Sequence, residues 1–163
     1  MGAPLWRRPR GAWDVTTRTG FELLEGGLAA LSQPVGRVFF SPGQEIAWDT
    51  DCQGMLWVRI AEITDPPEAR KGCFIGWDVT YGLGVLRCVA TVDNQGRPPS
   101  PTEMTRDALV LQTDRLDLEC FLAEHTRAWG MVWTPDGPEG GAAVGEWLFT
   151  LRVGVSCWLR HRG

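Results

Sequence analysis

A chain of 163 residues with 44% hydrophobic and 22% charged side chains is one domain long, and it has enough apolar surface to bury a core without metals or disulfides. Its 16 basic and 20 acidic residues leave a net charge of −4, which argues against generic nucleic-acid binding through a surplus of cations and leaves room only for a local basic stripe. No run approaches the ~20 apolar residues of a membrane span, and no apolar stretch follows the charged N-terminus, so neither a span nor a secretory leader is expected.

The chain opens with Arg7, Arg8 and Arg10 among prolines, which reads as a flexible basic arm over residues 1–12. Residues 13–159 read as a single α+β domain, and 160–163 as a basic tip. Within 15–32, Thr17, Phe21, Leu24, Leu28 and Leu31 recur at helical spacing. Gly20, Gly26 and Gly27 weaken that helix, each by ~1 kcal/mol relative to alanine, and Pro34 ends it. Val35 to Phe40 reads as a short strand, with a possible second around Ile46 and Trp48. After the turn Asp49–Gly54, Leu56 to Ile63 alternates strongly: Leu56, Val58 and Ile60 face one way, Trp57, Arg59 and Ala61 the other. Phe74 to Val79 and Leu83 to Val92 read as further strand, either as two stretches or as one long strand bent at Gly82 and Gly84.

The sharpest local signal is Ser100-Pro101-Thr102-Glu103, a capping box with proline at the first helical position. The helix behind it runs to about Ala128. Met104, Ala108, Leu111, Leu118 and Leu122 share its expected inner face, with Trp129 a candidate last member, and Arg115 within that face must snorkel or pair with a carboxylate. Residues 130–145 are rich in glycine and proline and read as a loop. The last element, Glu146 to Leu159, alternates as a long strand, with Trp147, Phe149, Leu151 and Val153 on one side and Arg152 and Trp158 on the other. The expected architecture is α+β: a mostly antiparallel sheet of about four to five strands with one short and one long helix packed on it. Loops 41–54, 64–73 and 130–145 are long enough to carry contacts.

Five cysteines at wide spacings contain no Cys-x-x-Cys pair, so neither a zinc site nor a disulfide framework is indicated. Cys88, Cys120 and Cys157 fall in helix or strand and read as small buried thiols in a reducing compartment. Nine tryptophans exceed ordinary usage; most suit a core, and the rest suit contacts, where desolvated indoles dominate binding. Lys71 is the single lysine, the arginine bias that a GC-rich genome imposes.

Catalysis needs a constellation, and the candidates fail one by one. His125 and His161 build no triad, and no G-x-S-x-G elbow is present. Asp49 to Gly54 imitates the start of a calcium loop, yet its twelfth position is Ile60 in mid-strand. Gly82-Leu83-Gly84 lacks the third glycine and following helix of a dinucleotide fingerprint. Asp65/Glu68 and Asp114/Asp117 read as solvated faces. No catalytic, metal or cofactor residue is assigned, and no cofactor is expected.

The order helix, several strands, long capped helix, final long strand resembles that of the tail-terminator family of long-tailed actinobacterial phages. Leu56 to Ile60, Gly84 to Cys88 and Gly145 to Phe149 also resemble short stretches of neck and tail proteins of such phages. The resemblance covers about residues 15–158 and rests on no single diagnostic motif. It implies a non-catalytic virion structural protein that forms a homohexameric ring, contacts the tail tube protein and a head-side neck protein, and lets DNA pass without reading its sequence. It further implies a place in the virion tail or neck, after assembly in the host cytoplasm. The glycine-broken first helix and the basic arm depart from the family, and they leave a connector or stopper role open. Candidate subunit-interface residues are Arg7, Arg8, Arg10, Trp57, Arg59, Arg87, Arg152 and Trp158, because Trp and Arg on an exposed strand face are the types that such contacts favour. A small metal-dependent enzyme with acids at Asp49, Asp51 and Glu62, and a monomeric adaptor, are the alternatives.

Overall fold

The computed structural model describes residues 15–41, 53–65, 74–139 and 141–156. Its elements are α1 (Val15–Ala30), β1 (Arg37–Ser41), β2 (Met55–Thr64), β3 (Phe74–Cys88), α2 (Pro101–His125), β4 (Trp129–Glu139) and β5 (Ala142–Ser156). The strands form one five-stranded sheet in the order β1-β2-β3-β5-β4. Every neighbouring pair is antiparallel except β1 and β2, which run parallel with Val38 opposite Leu56. The fold is α+β, as expected; the parallel edge is the addition. Ile46 and Trp48 lie outside the described residues, as do most of the loops expected at 41–54 and 64–73.

Strand alternation builds the main core. Leu56 and Val58 of β2, Tyr81 and Leu83 of β3, and Phe149 of β5 are all fully buried on the face that the helices cover. Each such apolar side chain contributes about 1.5–3 kcal/mol on leaving water. The Tyr81 hydroxyl stays satisfied there by donating to the Thr16 carbonyl at 2.7 Å, which ties α1 to the sheet centre. A register shift between Ile60 and Glu62 inserts Ala61 as an extra residue, so Ile63 lies opposite Val79.

α1 meets the sheet on a face that overlaps the one its hydrophobic spacing predicts but is rotated from it, with Leu24 buried and Phe21 and Leu31 against the core. Its buried residues are Thr16, Gly20, Leu23, Leu24 and Gly27, while Leu28 is exposed. The glycines are the reason. A Cβ on Gly20 would run into the Phe40 ring, and one on Gly26 would run into Phe121. Helix propensity is given up so that two aromatic rings can rest on the helix backbone, and Phe21 stacks on the same Phe40 at 5.2 Å.

α2 begins as its sequence dictates. Ser100 Oγ accepts from the Glu103 N–H at 3.3 Å, and Glu103 accepts from the Ser100 N–H at 2.8 Å. The Ser100 hydroxyl, donating to the same carboxylate at 2.7 Å, and then the Ser100 N–H hold the exposed Glu103 carboxyl below its ordinary value. Met104 and Ala108 are exposed rather than inward, because contact with the sheet starts only at Leu111 and continues through Asp114, Leu118 and Leu122. Arg115 pairs with Glu119 at 2.8 Å and lies 5.9 Å from the centre of the Trp147 ring.

The stretch 130–145, expected as a loop, is mostly a strand followed by a turn into β5. Its glycines and prolines mark an irregular sheet edge: register breaks fall at Trp129/Val132 and Asp136/Glu139, and Gly130 and Gly137 hold positive φ angles of 64° and 103°. Trp133 anchors the strand, packing 5.5 Å from Trp147 and over Gly145.

The cysteine reading also changes. Cys88 is disulfide-bonded, and Cys120 is a free, exposed thiol on the outer side of α2, so neither is the buried thiol expected. Cys157 lies outside the described residues.

Candidate assembly surfaces

The sheet face away from the helices carries its own small core of Met55, Trp57, Leu86 and Val144, with Phe39 against it. Register explains how so large a residue as Trp57 fits. Trp57, Gly84 and Glu146 stand in one row across β2, β3 and β5, and Arg59, Gly82 and Leu148 stand in the next. The indole lies where a Cβ of residue 84 would be, and the Glu146 carboxylate lies where a Cβ of residue 82 would be. The two glycines thus open a lane across β3 through which side chains two strands apart can meet. Trp57 Nε1 donates to Glu146 Oε1 at 3.1 Å, and Arg59 donates through Nε and Nη2 to the same carboxylate at 2.7 and 2.6 Å. The hydrogen bonds to Glu146 raise the Arg59 pKa, against the opposing effect of burial. Further along this face Thr80 and Thr150 share a hydrogen bond at 3.1 Å, and Arg152 forks onto Asp78 at 2.9 and 3.1 Å.

On the helix side Arg87 makes a denser knot. It donates to both oxygens of Asp114 at 2.7 and 2.8 Å, to the Pro34 carbonyl at 2.6 Å and to the Gln33 carbonyl at 3.0 Å. Asp114 is completely buried. Four charge-assisted bonds join β3, α2 and the α1–β1 connection. Two other acids of α2 do related work on backbone groups: Asp107 accepts from the Ala90 N–H and Asp117 from the Ser32 N–H.

These positions revise the expected exposed strand face. Trp57 and Arg87 are buried, Arg59 keeps only 14% of its side chain in solvent, and all three have partners inside the protomer. Arg152 is the exposed member, paired with Asp78. Arg7, Arg8, Arg10 and Trp158 lie outside the described residues, as do Asp49 and Asp51 of the alternative metal site. Glu62 is exposed on β2.

No protein-family model matches the chain. No curated protein matches it. Among solved structures it is similar to the sheath/tube terminator of PVC, an extracellular contractile injection system, in the extended state by cryo-EM. The identity is 10% and the TM-score 0.30, with 90% of this chain and 58% of that one covered. The chain therefore spans less than two thirds of that protein's length, and a likeness at this level carries no argument about function.

Solvent-facing apolar groups are spread over several elements, and two pairs lie where none was expected. Leu109 and Leu116 project from the outer side of α2, and Trp129 and Val132 from β4 at the sheet edge. The signal for the first pair was present as two leucines seven residues apart, outside the inward stripe. Val132 was hidden by the loop reading of 130–145, and Trp129, expected at the end of the inward helical stripe, instead opens β4 with its side chain exposed. Among the described residues no three His, Cys, Asp or Glu side chains gather as metal ligands, and no helix is long and apolar enough to cross a membrane. An open groove between α1 and α2 is lined by Glu22, Asp117, Cys120, Glu124 and His125. The arrangement suits contact with other polypeptides: apolar groups on an edge strand and a helix back, held on a sheet braced by internal ion pairs.

Proposed function

We propose that this chain is a non-catalytic structural subunit of a phage tail, a tail terminator that forms a closed ring at the head-proximal end of the tube. The observation that carries the reading is the exposure of Trp129 and Val132 on β4, the outer strand of the sheet. An edge strand offers unpaired backbone groups, and aromatic or aliphatic side chains beside them favour cover by another chain. Because β1 forms the opposite edge, one subunit has two different edges, as a head-to-tail ring requires. The element order, a capped long helix followed by a long final strand, agrees with the terminator resemblance.

In this reading the ring is six-membered, its partners are the tube protein and a head-side neck protein, and it needs no cofactor. Arg152, the basic arm with Arg7, Arg8 and Arg10, and Trp158 add polar and aromatic contacts, while Trp57, Arg59 and Arg87 keep the contact surfaces in shape. The test is co-expression with the major tail tube protein of the same genome, followed by native mass spectrometry and electron microscopy of the tube ends. Closed rings capping tubes, weakened when Trp129 and Val132 are both changed to Ser, are expected. A protein that neither joins tubes nor appears in purified particles would overturn the reading.

A further inference from the structure

α2 presents an outward stripe without charge along its whole length. Thr102, Thr105, Leu109, Gln112, Thr113, Leu116, Cys120 and Ala123 fall on the side opposite buried Leu111, Leu118 and Leu122, and all eight are exposed. A solvated helix back ordinarily carries charge. Here charges stand only on the borders: Arg106, Asp117 and Glu124 on one, Arg115 and Glu119 on the other. Thr105 and Thr113 already donate their hydroxyls to the carbonyls of Pro101 and Leu109 at 2.7 and 2.9 Å, so neither needs water for that proton.

We infer that this stripe pairs with the same stripe of a second copy, the two α2 helices antiparallel about a two-fold axis between Gln112 and Thr113. The pattern is its own complement in that register. Leu109 meets Leu116 of the second copy, Gln112 meets Thr113, Thr105 meets Cys120, and Thr102 meets Ala123. Under the two-fold, each border faces the same border of the copy. Arg106, with 69% of its side chain exposed and only a 3.6 Å contact to Asp107, is thereby brought near Asp117 of the copy. Arg115 and Glu119 on the other border are already paired with each other. A parallel pair would instead set Arg106 beside Arg106 and align like ends of the helix dipoles.

The 25 residues span roughly 37 Å, and a strip about 10 Å wide gives roughly 750 Å² for the pair. That is below the ~1,200 Å² of stable complexes, so the pair is transient and forms at high protein concentration. A two-fold contact cannot close a ring, so this pairing stands apart from the ring proposal and describes free subunits.

Disulfide trapping on the full chain tests it, because Cys120 is free and exposed. Thr105→Cys places a second thiol on the stripe. Within one helix positions 105 and 120 are roughly 22 Å apart, too far to link intramolecularly. Mild oxidation of concentrated protein, followed by mapping of the joined peptides, is expected to yield a covalent dimer linking position 105 of one copy to Cys120 of the other. Adding Leu109→Asp and Leu116→Asp lowers that yield about tenfold, which corresponds to ~1.4 kcal/mol, while circular dichroism shows an intact fold. A Cys120–Cys120 link without the 105–120 link would mean parallel packing and overturn the proposal. So would no link at high concentration, or protection of Cys120 from alkylation only when another tail protein is added.

Discussion

The two faces of the sheet each hold an arginine–carboxylate pair, one buried and one half-buried, and they do so by opposite means. On the helix side Arg87 and Asp114 are enclosed by α2 and the α1–β1 connection, and two backbone carbonyls take further guanidinium protons. On the other side Arg59 and Glu146 lie across their own sheet, in room made by Gly82 and by Gly84 beneath Trp57. One pair is satisfied by convergence of elements from different parts of the chain, the other by subtraction of side-chain volume from the strand between. A charge held largely out of water is therefore tolerated where a carboxylate meets the guanidinium in a two-pronged contact, whichever route provides the room.

The largest expected break of this comparison is Asp114→Ala, which leaves Arg87 buried without its carboxylate. A loss of about 3–5 kcal/mol is expected in urea denaturation; a loss under ~1 kcal/mol would mean that the two carbonyls suffice. Next comes Gly84→Ala, whose new methyl collides with the indole and costs about 1–3 kcal/mol. Combining it with Trp57→Leu should recover part of that loss, and strict additivity in a double-mutant cycle would deny the contact. Removing the helix cap with Ser100→Ala should cost ~1 kcal/mol. Glu103 sharpens the same point through pH. Its folded pKa is depressed, so its contribution is present above its ordinary value of 4.5 and is lost as pH falls through the lower folded value. Glu103→Gln should flatten that acid-side decline of the melting temperature, and an unchanged slope would remove the cap from the account. The smallest effect belongs to Arg152→Ala, whose exposed pair with Asp78 is worth about 0–1 kcal/mol and should weaken further in salt.

What was legible in the sequence follows the same physics. Strand alternation in Leu56 to Ile60 and in Trp147 to Val153, and the capping box at Ser100, are local signals, and the fold kept them. The inward face of α1 was misjudged because its glycines, read as weak points, are where Phe40 and Phe121 enter. β4 was missed because composition describes an irregular edge strand and a loop alike; only its pairing with β5 separates them. Trp57, Arg59 and Arg87 looked exposed because strand parity tells which residues share a face but not what fills it. Asp114 looked solvated until Arg87, 27 positions earlier, was brought to it. The outer leucines of α2 are legible from spacing alone, because Leu109 and Leu116 stand two turns apart on the side opposite Leu111 and Leu118.

The parallel pairing of β1 with β2 has a kinetic consequence. A parallel partner cannot be reached by a tight turn, and among the described residues β2 is the strand paired with β1. Its hydrogen-bonding groups find their mates only after β2 is held by β3, and Phe40 then brings α1 with it through the Phe21 stack and the gap at Gly20. The N-terminal helix and strand should therefore be locked late in folding and released early. Faster amide exchange at Val38 to Phe40 than at Val58 or Tyr81 is the expected signature, and equal protection would place them in one cooperative unit.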